Sequence, residues 1–299
     1  MGTLFVIGNG FDLHFGLKTG TEDFEDCLRA QGIEGEMDNA FEILNAYGVD
    51  WSEYEQSLAD MDLDAIELEN LDFPDYLSDR ESDRDGVIFQ MQEYLNSISD
   101  AISSALEEMV DTANAALEEM VDTANAASEN EEIMESRSKL FQSGDAVISF
   151  NYTSTIEMLF DIPNDFPILH IHGYRANNEQ LIFGYKEMKG NYHTRLEPDE
   201  DGDFYEDQQR QAIYEFYTGW QKKAKLKKLK RFLENCQGIN QVVVLGHSMG
   251  EVDAKYMEVI EKVIHPTEWK ISYYCSPISM KTALKQYSFE QKCDLFEFD

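Results

Sequence analysis

Cations are scarce in this chain. Against 59 Asp and Glu stand 24 Lys and Arg, a formal net charge of -35 over 299 residues. A surface so acidic repels phosphate backbones at long range, which argues against general DNA or RNA binding. The excess is spread through residues 20–140 without a patterned motif, as expected of a solvated surface. Cysteines are few and far apart: Cys27, Cys236, Cys275 and Cys293, with no C-x-x-C pair. That spacing excludes a disulfide framework and a structural zinc site, and it suits a reducing cytosol. No run is long and apolar enough to span a bilayer, and the N-terminus enters a strand pattern without a basic n-region. The expectation is a cytoplasmic protein with neither a membrane nor a nucleic-acid partner.

Glycine and proline are both missing from residues 87–143. Val87, Ile88, Met91, Leu95, Ile98, Ile102, Leu106, Met109, Val110 and Ala113 recur there at helical spacing, so one long helix is predicted. Within it, residues 105–115 are repeated identically as residues 116–126. Eleven residues are close to three helical turns, so each copy lengthens the helix by about 16 Å without rotating its apolar face. Two readings stand open: a helical arm through which a homo-oligomer forms, and a duplication tolerated on a solvent-facing helix. The basic run at 222–231 could grip an anionic ligand or a membrane surface; the better reading is a helix with Leu226, Leu229 and Phe232 inward and its lysines answering the acidic half.

What remains is strand-like. Short apolar, β-branched runs at 3–7, 146–150, 168–171 and 241–245 each end in Gly, Asn, His or Ser, and weaker runs lie at 181–183, 270–275 and near Leu295. Helical patterns separate them at 11–28, with Thr21 as cap and Glu22 and Asp23 in the first turn, and at 40–47, 52–60, 153–160, 205–235, 250–264 and 279–287. Such alternation predicts an α/β doubly wound parallel sheet with flanking helices. The core is expected at 1–50 and 144–299, with a helical insertion at 51–143 carrying the arm. Residues 186–204 read as a mobile loop over the pocket. In such sheets ligands bind outside the carboxyl ends of the strands, so the four polar strand ends describe one pocket floor.

Gly8-Asn9-Gly10 follows the first strand, where free backbone N–H groups at a helix start would hold a pyrophosphate. The G-x-G-x-x-G pattern is incomplete, with Leu13 at its last position, and no acidic residue closes a second strand, which argues against hydride transfer. Gly246-His247-Ser248-Met249-Gly250 matches a nucleophile elbow, the mark of a serine esterase using Ser248. Only His265 follows, at the end of the next helix, so the acid-then-histidine order has no room. Asn151 and His172, each just past a strand, suit a water-orienting amide and a general base. His170, two residues before His172, is expected on the same face but deeper, as a structural histidine.

Taken together, Gly8-Asn9-Gly10-Phe11-Asp12-Leu13, Trp51-Ser52-Glu53-Tyr54-Glu55, Phe150-Asn151-Tyr152-Thr153, His170-Ile171-His172-Gly173 and Gly246-His247-Ser248 with Asp253 resemble the AbiH family of bacteriophage abortive-infection proteins. That family is in turn similar to the Sir2-like group. The resemblance implies a Rossmann-like fold and a small-molecule nucleotide ligand, NAD, taken as substrate without a metal. In phage-defence members it is hydrolysed to ADP-ribose and nicotinamide. Carried over, Gly8, Asn9, Gly10, Phe11 and Asp12 would form the loop over the phosphates and nicotinamide ribose. Asn151 would position the water or the ribose and His172 would be the base. Tyr152 and Gly173 would join the nucleotide-binding set, with Gly246, His247 and Ser248 on the adenosine side and Asp253 near them. Thr153 stands where the Sir2-like block has an acid, and Asn9 where it has a small residue. The cysteine pairs of sirtuin deacylases are absent, which argues against protein deacylation. Two rival readings are a nucleotide-binding sensor without chemistry and an oligomerising partner protein; the phage trigger is not specified by any motif.

Overall fold

A computed structural model of the chain describes residues 2–33, 35–50, 54–126, 140–163, 165–185 and 203–298. Six strands form one all-parallel sheet: β1 (Gly2–Ile7), β2 (Ala146–Ser149), β3 (Ile168–His170), β4 (Ile239–Leu245), β5 (Glu268–Tyr273) and β6 (Cys293–Glu297). Their order is β3-β2-β1-β4-β5-β6, that of a Rossmann-like doubly wound fold. The chain builds outward from β1 to β3, then returns to lay β4 against the other side of β1. Ile7 pairs with Ser149 on one side and Leu245 on the other. The switch in direction therefore falls between β1 and β4, the place where such sheets open a crevice.

Alternation along the strands divides the core into two faces. Leu4, Val6, Ile148, Val242 and Val244 point to one, where they meet helices α9 (Leu226–Asn235), α10 (Ala254–Ile264) and α11 (Pro277–Leu284) through Leu229, Leu233, Met257, Ile260 and Leu284. Phe5, Ile7, Val147 and Leu245 point to the other, against α7 (Thr155–Leu159) and the last turns of the long helix α6 (Glu81–Ala126). The remaining helices are α1 (Asn9–His14), α2 (Thr21–Ala30), α3 (Ala40–Ala46), α4 (Tyr54–Ser57), α5 (Leu63–Asn70) and α8 (Phe204–Gly219).

Two compact units emerge, and their boundaries differ from those expected. One comprises Met1–Gly20, Glu107–Ile182 and Lys223–Asp299 and holds the sheet. The other, Thr21–Leu106 with Phe183–Lys222, is helical. Residues 21–50 and 183–222 thus belong with the helical unit, where Phe24 packs on Phe183 and the Tyr217 hydroxyl donates to the Ala59 carbonyl at 2.8 Å.

From Glu107 on, the duplicated segment belongs to the sheet unit. Ala113 and Leu117 are buried in its core, with Met120 and Val121 packed beside them. It is a packed helix, and its first copy alone supplies Glu107 and Asp111 to Arg175 and the Asn114 amide oxygen to the Ser154 N–H. The helix also starts earlier than predicted, at Glu81, running through Gly86.

Three predicted elements need correction. The 11–28 pattern is two helices, parted where Gly16 takes a left-handed φ of 76°; the second begins at Thr21 with Glu22 and Asp23 in its first turn, as expected. The 205–235 helix breaks after Gly219, because Trp220 and Lys222 leave it to exchange backbone hydrogen bonds with Tyr185. Residues 181–183 form no strand; the Ile182 N–H donates to the His172 carbonyl instead. The Trp51 to Glu53 part of the aromatic-acidic motif, most of the 186–204 loop and residues 127–139 lie outside the described residues. No described helix is long and apolar enough to cross a membrane.

Candidate functional site

The loops after β1 and β4 interlock through their backbones. The Gly8 N–H donates to the Leu245 carbonyl at 3.0 Å and the Gly10 N–H to the Gly246 carbonyl at 2.8 Å. Gly246 sits at φ 66°, where a Cβ would fall 2.1 Å from the Phe11 nitrogen; one on Gly8 would fall 2.6 Å from the His247 Cα. These glycines are needed for the approach of two protein backbones. The Phe11 N–H turns back to the Gly8 carbonyl at 2.8 Å. Three N–H groups expected to cradle a phosphate are thus donated within the protein, while Asn9 stays exposed and its Nδ2 donates to the Thr19 carbonyl at 2.7 Å.

Beneath this loop Asp12 is buried, at 1% exposure. The hydroxyls of Thr153 and Thr155 donate to its two carboxyl oxygens, each at 2.7 Å. Burial pushes the Asp12 carboxyl up to about 6, against the opposing pull of Thr153, Thr155, Asn151 and His170. Thr153, which takes the place of an acid in the motif, therefore serves the acid already present on α1. Asn151 is buried next to them, and its Nδ2 donates to the Gly8 carbonyl at 3.2 Å. His170 is buried and faces acceptors with both ring nitrogens: the Glu157 carboxylate at 2.8 Å and the Asn151 carbonyl at 3.3 Å. Its ring stacks on Tyr174 at 4.0 Å.

His172 belongs to a second cluster. β3 ends at His170 and the chain bends through Ile171 and His172, so the two histidines do not share a face as period-two alternation predicted. His172 turns toward the side of Phe150 and Tyr256, whose rings meet it edge-on at 5.0 and 5.9 Å. Its Nε2 lies 3.2 Å from Asp253 Oδ1, and His247 Nε2 lies 3.5 Å from Asp253 Oδ2. Phe150 also covers His247, at 4.6 Å. Two histidines thus share one carboxylate at the ends of β3 and β4.

The Met249 N–H donates to His247 Nδ1 at 2.9 Å, so the ring proton resides on Nε2, the atom a metal would need. Among the described residues no group of three His, Cys, Asp or Glu has a metal-binding arrangement. Among the described residues the esterase geometry is not formed. In the elbow segment the left-handed residues are Gly246, at φ 66°, and Met249, at φ 55°; Ser248 is not among them. His265 lies at the far end of α10, the edge of the sheet where strands begin.

Asp12, Asn151, Thr153, His172, Gly246, His247 and Asp253 thus all lie along the carboxyl edge of β1–β4, in two buried polar clusters. Ser248 is exposed, Gly173 is buried at φ 105°, and the Tyr152 hydroxyl donates to the Ile182 carbonyl at 2.7 Å. Sequence reasoning missed Thr155 and Tyr256, and for the basic helix that carries Lys225 and Lys228 it preferred packing to anion binding. The Lys225 N–H donates to the Tyr256 hydroxyl at 3.0 Å, and Lys228 Nζ to the His170 carbonyl at 3.2 Å. Leu226 and Leu229 marked this helix for packing, and only the antiparallel course of α9 reveals that its lysines reach the strand ends.

Residues 4–273 match the family model described as bacteriophage abortive infection AbiH. No curated protein matches the chain.

Proposed function

The chain belongs to the AbiH family of bacteriophage abortive-infection proteins, and from that premise we propose that it hydrolyses NAD to ADP-ribose and nicotinamide. The observation that carries the reading is the alignment of Asp12, Asn151 and His172 along the carboxyl edge of a sheet in Rossmann order. Breaking the nicotinamide glycosidic bond expels a neutral base from a pyridinium and leaves an oxocarbenium-like ribose. Such a step needs negative charge beside the ribose, a positioned water and a base. Asp12 supplies the charge, and its ordinary ionised form is reached above about pH 6. Asn151 holds the water and His172 takes its proton. With the loop N–H groups engaged, the phosphates are met by Lys225 and Lys228 at the start of α9.

General-base help is typically worth about 10²–10⁴ in rate. Purified protein incubated with NAD should release nicotinamide, and His172→Ala or Asn151→Ala should lower turnover by at least about 100-fold with the melting curve preserved. Wild-type turnover in both variants sinks the assignment. The engaged N–H groups of Gly8, Gly10 and Phe11 favour one other reading, a nucleotide sensor without chemistry. Saturable ADP-ribose binding without nicotinamide release would select it.

A further inference from the structure

We propose that Glu118 and Asp122, on the second copy of the duplicated segment of α6, receive an arginine side chain from a basic partner polypeptide, as Glu107 and Asp111 on the first copy receive Arg175 from within the chain. The inference is independent of the NAD reading.

The first copy shows what such a pair of carboxylates holds. Arg175 Nε and Nη2 donate to the two oxygens of Asp111, each at 2.8 Å, and Nη1 lies 3.0 Å from Glu107 Oε2. All three guanidinium nitrogens are engaged, a pattern that suits the planar fork of arginine and that the single ammonium of lysine does not reproduce. The hydrogen bonds from Arg175 hold the Asp111 carboxyl below its ordinary value. Glu118 and Asp122 are the same two residue types eleven positions further on. At about 100° per residue, eleven residues complete three turns with about 20° to spare, so the second pair lies about 16 Å along the helix and faces nearly the same way. Burial fixes that register: Leu106 and Leu117, also eleven apart, are 3% and 0% exposed. Leu117, Met120 and Val121 pack into the core beneath the second pair, so the backbone that carries it is anchored. Both carboxylates are exposed, and no cation among the described residues pairs with either. The occupant follows from charge. At -35 the chain repels a second copy of itself at long range and draws in a basic polypeptide. Exposed Glu119, between the two residues, adds to the attraction.

One exposed ion pair binds weakly, so the test reads millimolar affinity, by amide NMR of the ¹⁵N-labelled full chain at low salt. The probe is a short uncharged peptide, blocked at both ends, with one central arginine; its counterpart carries lysine there. The arginine peptide should shift the amides of residues 117–123 in a saturable way, and the lysine peptide should bind there at least about threefold more weakly. Glu118→Gln with Asp122→Asn, both at exposed positions, should abolish the shifts. Glu290→Gln with Asp294→Asn removes the same charge from exposed positions elsewhere in the unit and should leave the affinity within about twofold. Equal binding of the two peptides overturns the proposal, as do shifts that survive E118Q/D122N or that are as large around Glu290 and Asp294. Light scattering checks the other occupant. A dimer of the wild-type chain that E118Q/D122N dissociates would place a second copy on this face and overturn the basic partner.

Discussion

Asp12→Asn separates what a buried carboxylate costs from what it does. In the folded protein the Asp12 pKa is raised from 3.8 to about 6, chiefly by burial. A raised folded value means the native state holds the proton more tightly than the unfolded chain. The stability this contributes is complete below the unfolded pKa and is lost as pH rises through about 6. At neutral pH the ionised group therefore costs about 3 kcal/mol, taking roughly 1.4 kcal/mol per unit. Asn removes the charge, accepts from one threonine hydroxyl and donates to the other. The advantage of D12N over wild-type protein should therefore grow with pH, by about 1.4 kcal/mol between about pH 5 and about pH 7.5. With a urea m-value of about 3 kcal/mol/M, that is a relative midpoint shift of about 0.5 M. Trp269, fully buried in the same unit, provides a fluorescence probe. Nicotinamide release should meanwhile fall by at least about 100-fold. A stability difference that stays flat or shrinks between the two pH values would refute the burial argument. A D12N protein with wild-type turnover would refute the catalytic one.

Gly246→Ala should lower the melting midpoint sharply, since a Cβ would meet the Phe11 nitrogen at 2.1 Å in a left-handed backbone; a cost of about 3 kcal/mol or more is expected, and an unchanged midpoint would show that the loops can part. Deleting residues 116–126 leaves the same sequence as deleting 105–115, so the retained copy should restore the Arg175 ion pairs and the Asn114 contact. Circular dichroism should show a shorter helix and light scattering an unchanged mass; a lost oligomer would return the repeat to an assembly role. Lys228→Ala should raise the KM for NAD about tenfold with kcat little changed, and the effect should fade at high salt. An equal effect on kcat would mean that Lys228 acts through the His170 carbonyl instead.

The strands were readable because burial on both faces demands uninterrupted β-branched runs, and these end where the polar edge begins. Their order was not readable: whether β4 returns beside β1 or continues past β3 depends on crossovers that leave no local mark. The same limit shaped the site. Asn151 and Asp12 could be named from strand ends, but Thr155 could not, because an ordinary threonine at a helix start becomes a carboxylate partner only when α7 lies against α1. His172 was named correctly as a strand-end residue and placed on the wrong face, because one bend at Ile171 reverses what alternation would dictate.

The glycines carry the sharper lesson. Gly8 and Gly10 were read as room for a ligand's phosphates, since a missing Cβ and a free N–H signal close approach of something. What approaches is Gly246, from a loop more than two hundred residues away, whose own missing Cβ was attributed to a nucleophile elbow. Neither loop specifies its partner alone, yet each needs glycine only where the other touches it: Cβ atoms at Gly8, Gly10 and Gly246 all collide across the same seam. The seam lies at the switch between β1 and β4. Closing it with backbone leaves the two polar clusters as the candidate features of the edge. A substrate that engages both must lie across that seam. A bulky residue at exposed Asn9 should then block turnover while the buried clusters stay intact, and Asn9→Trp with wild-type KM would show that nothing crosses there.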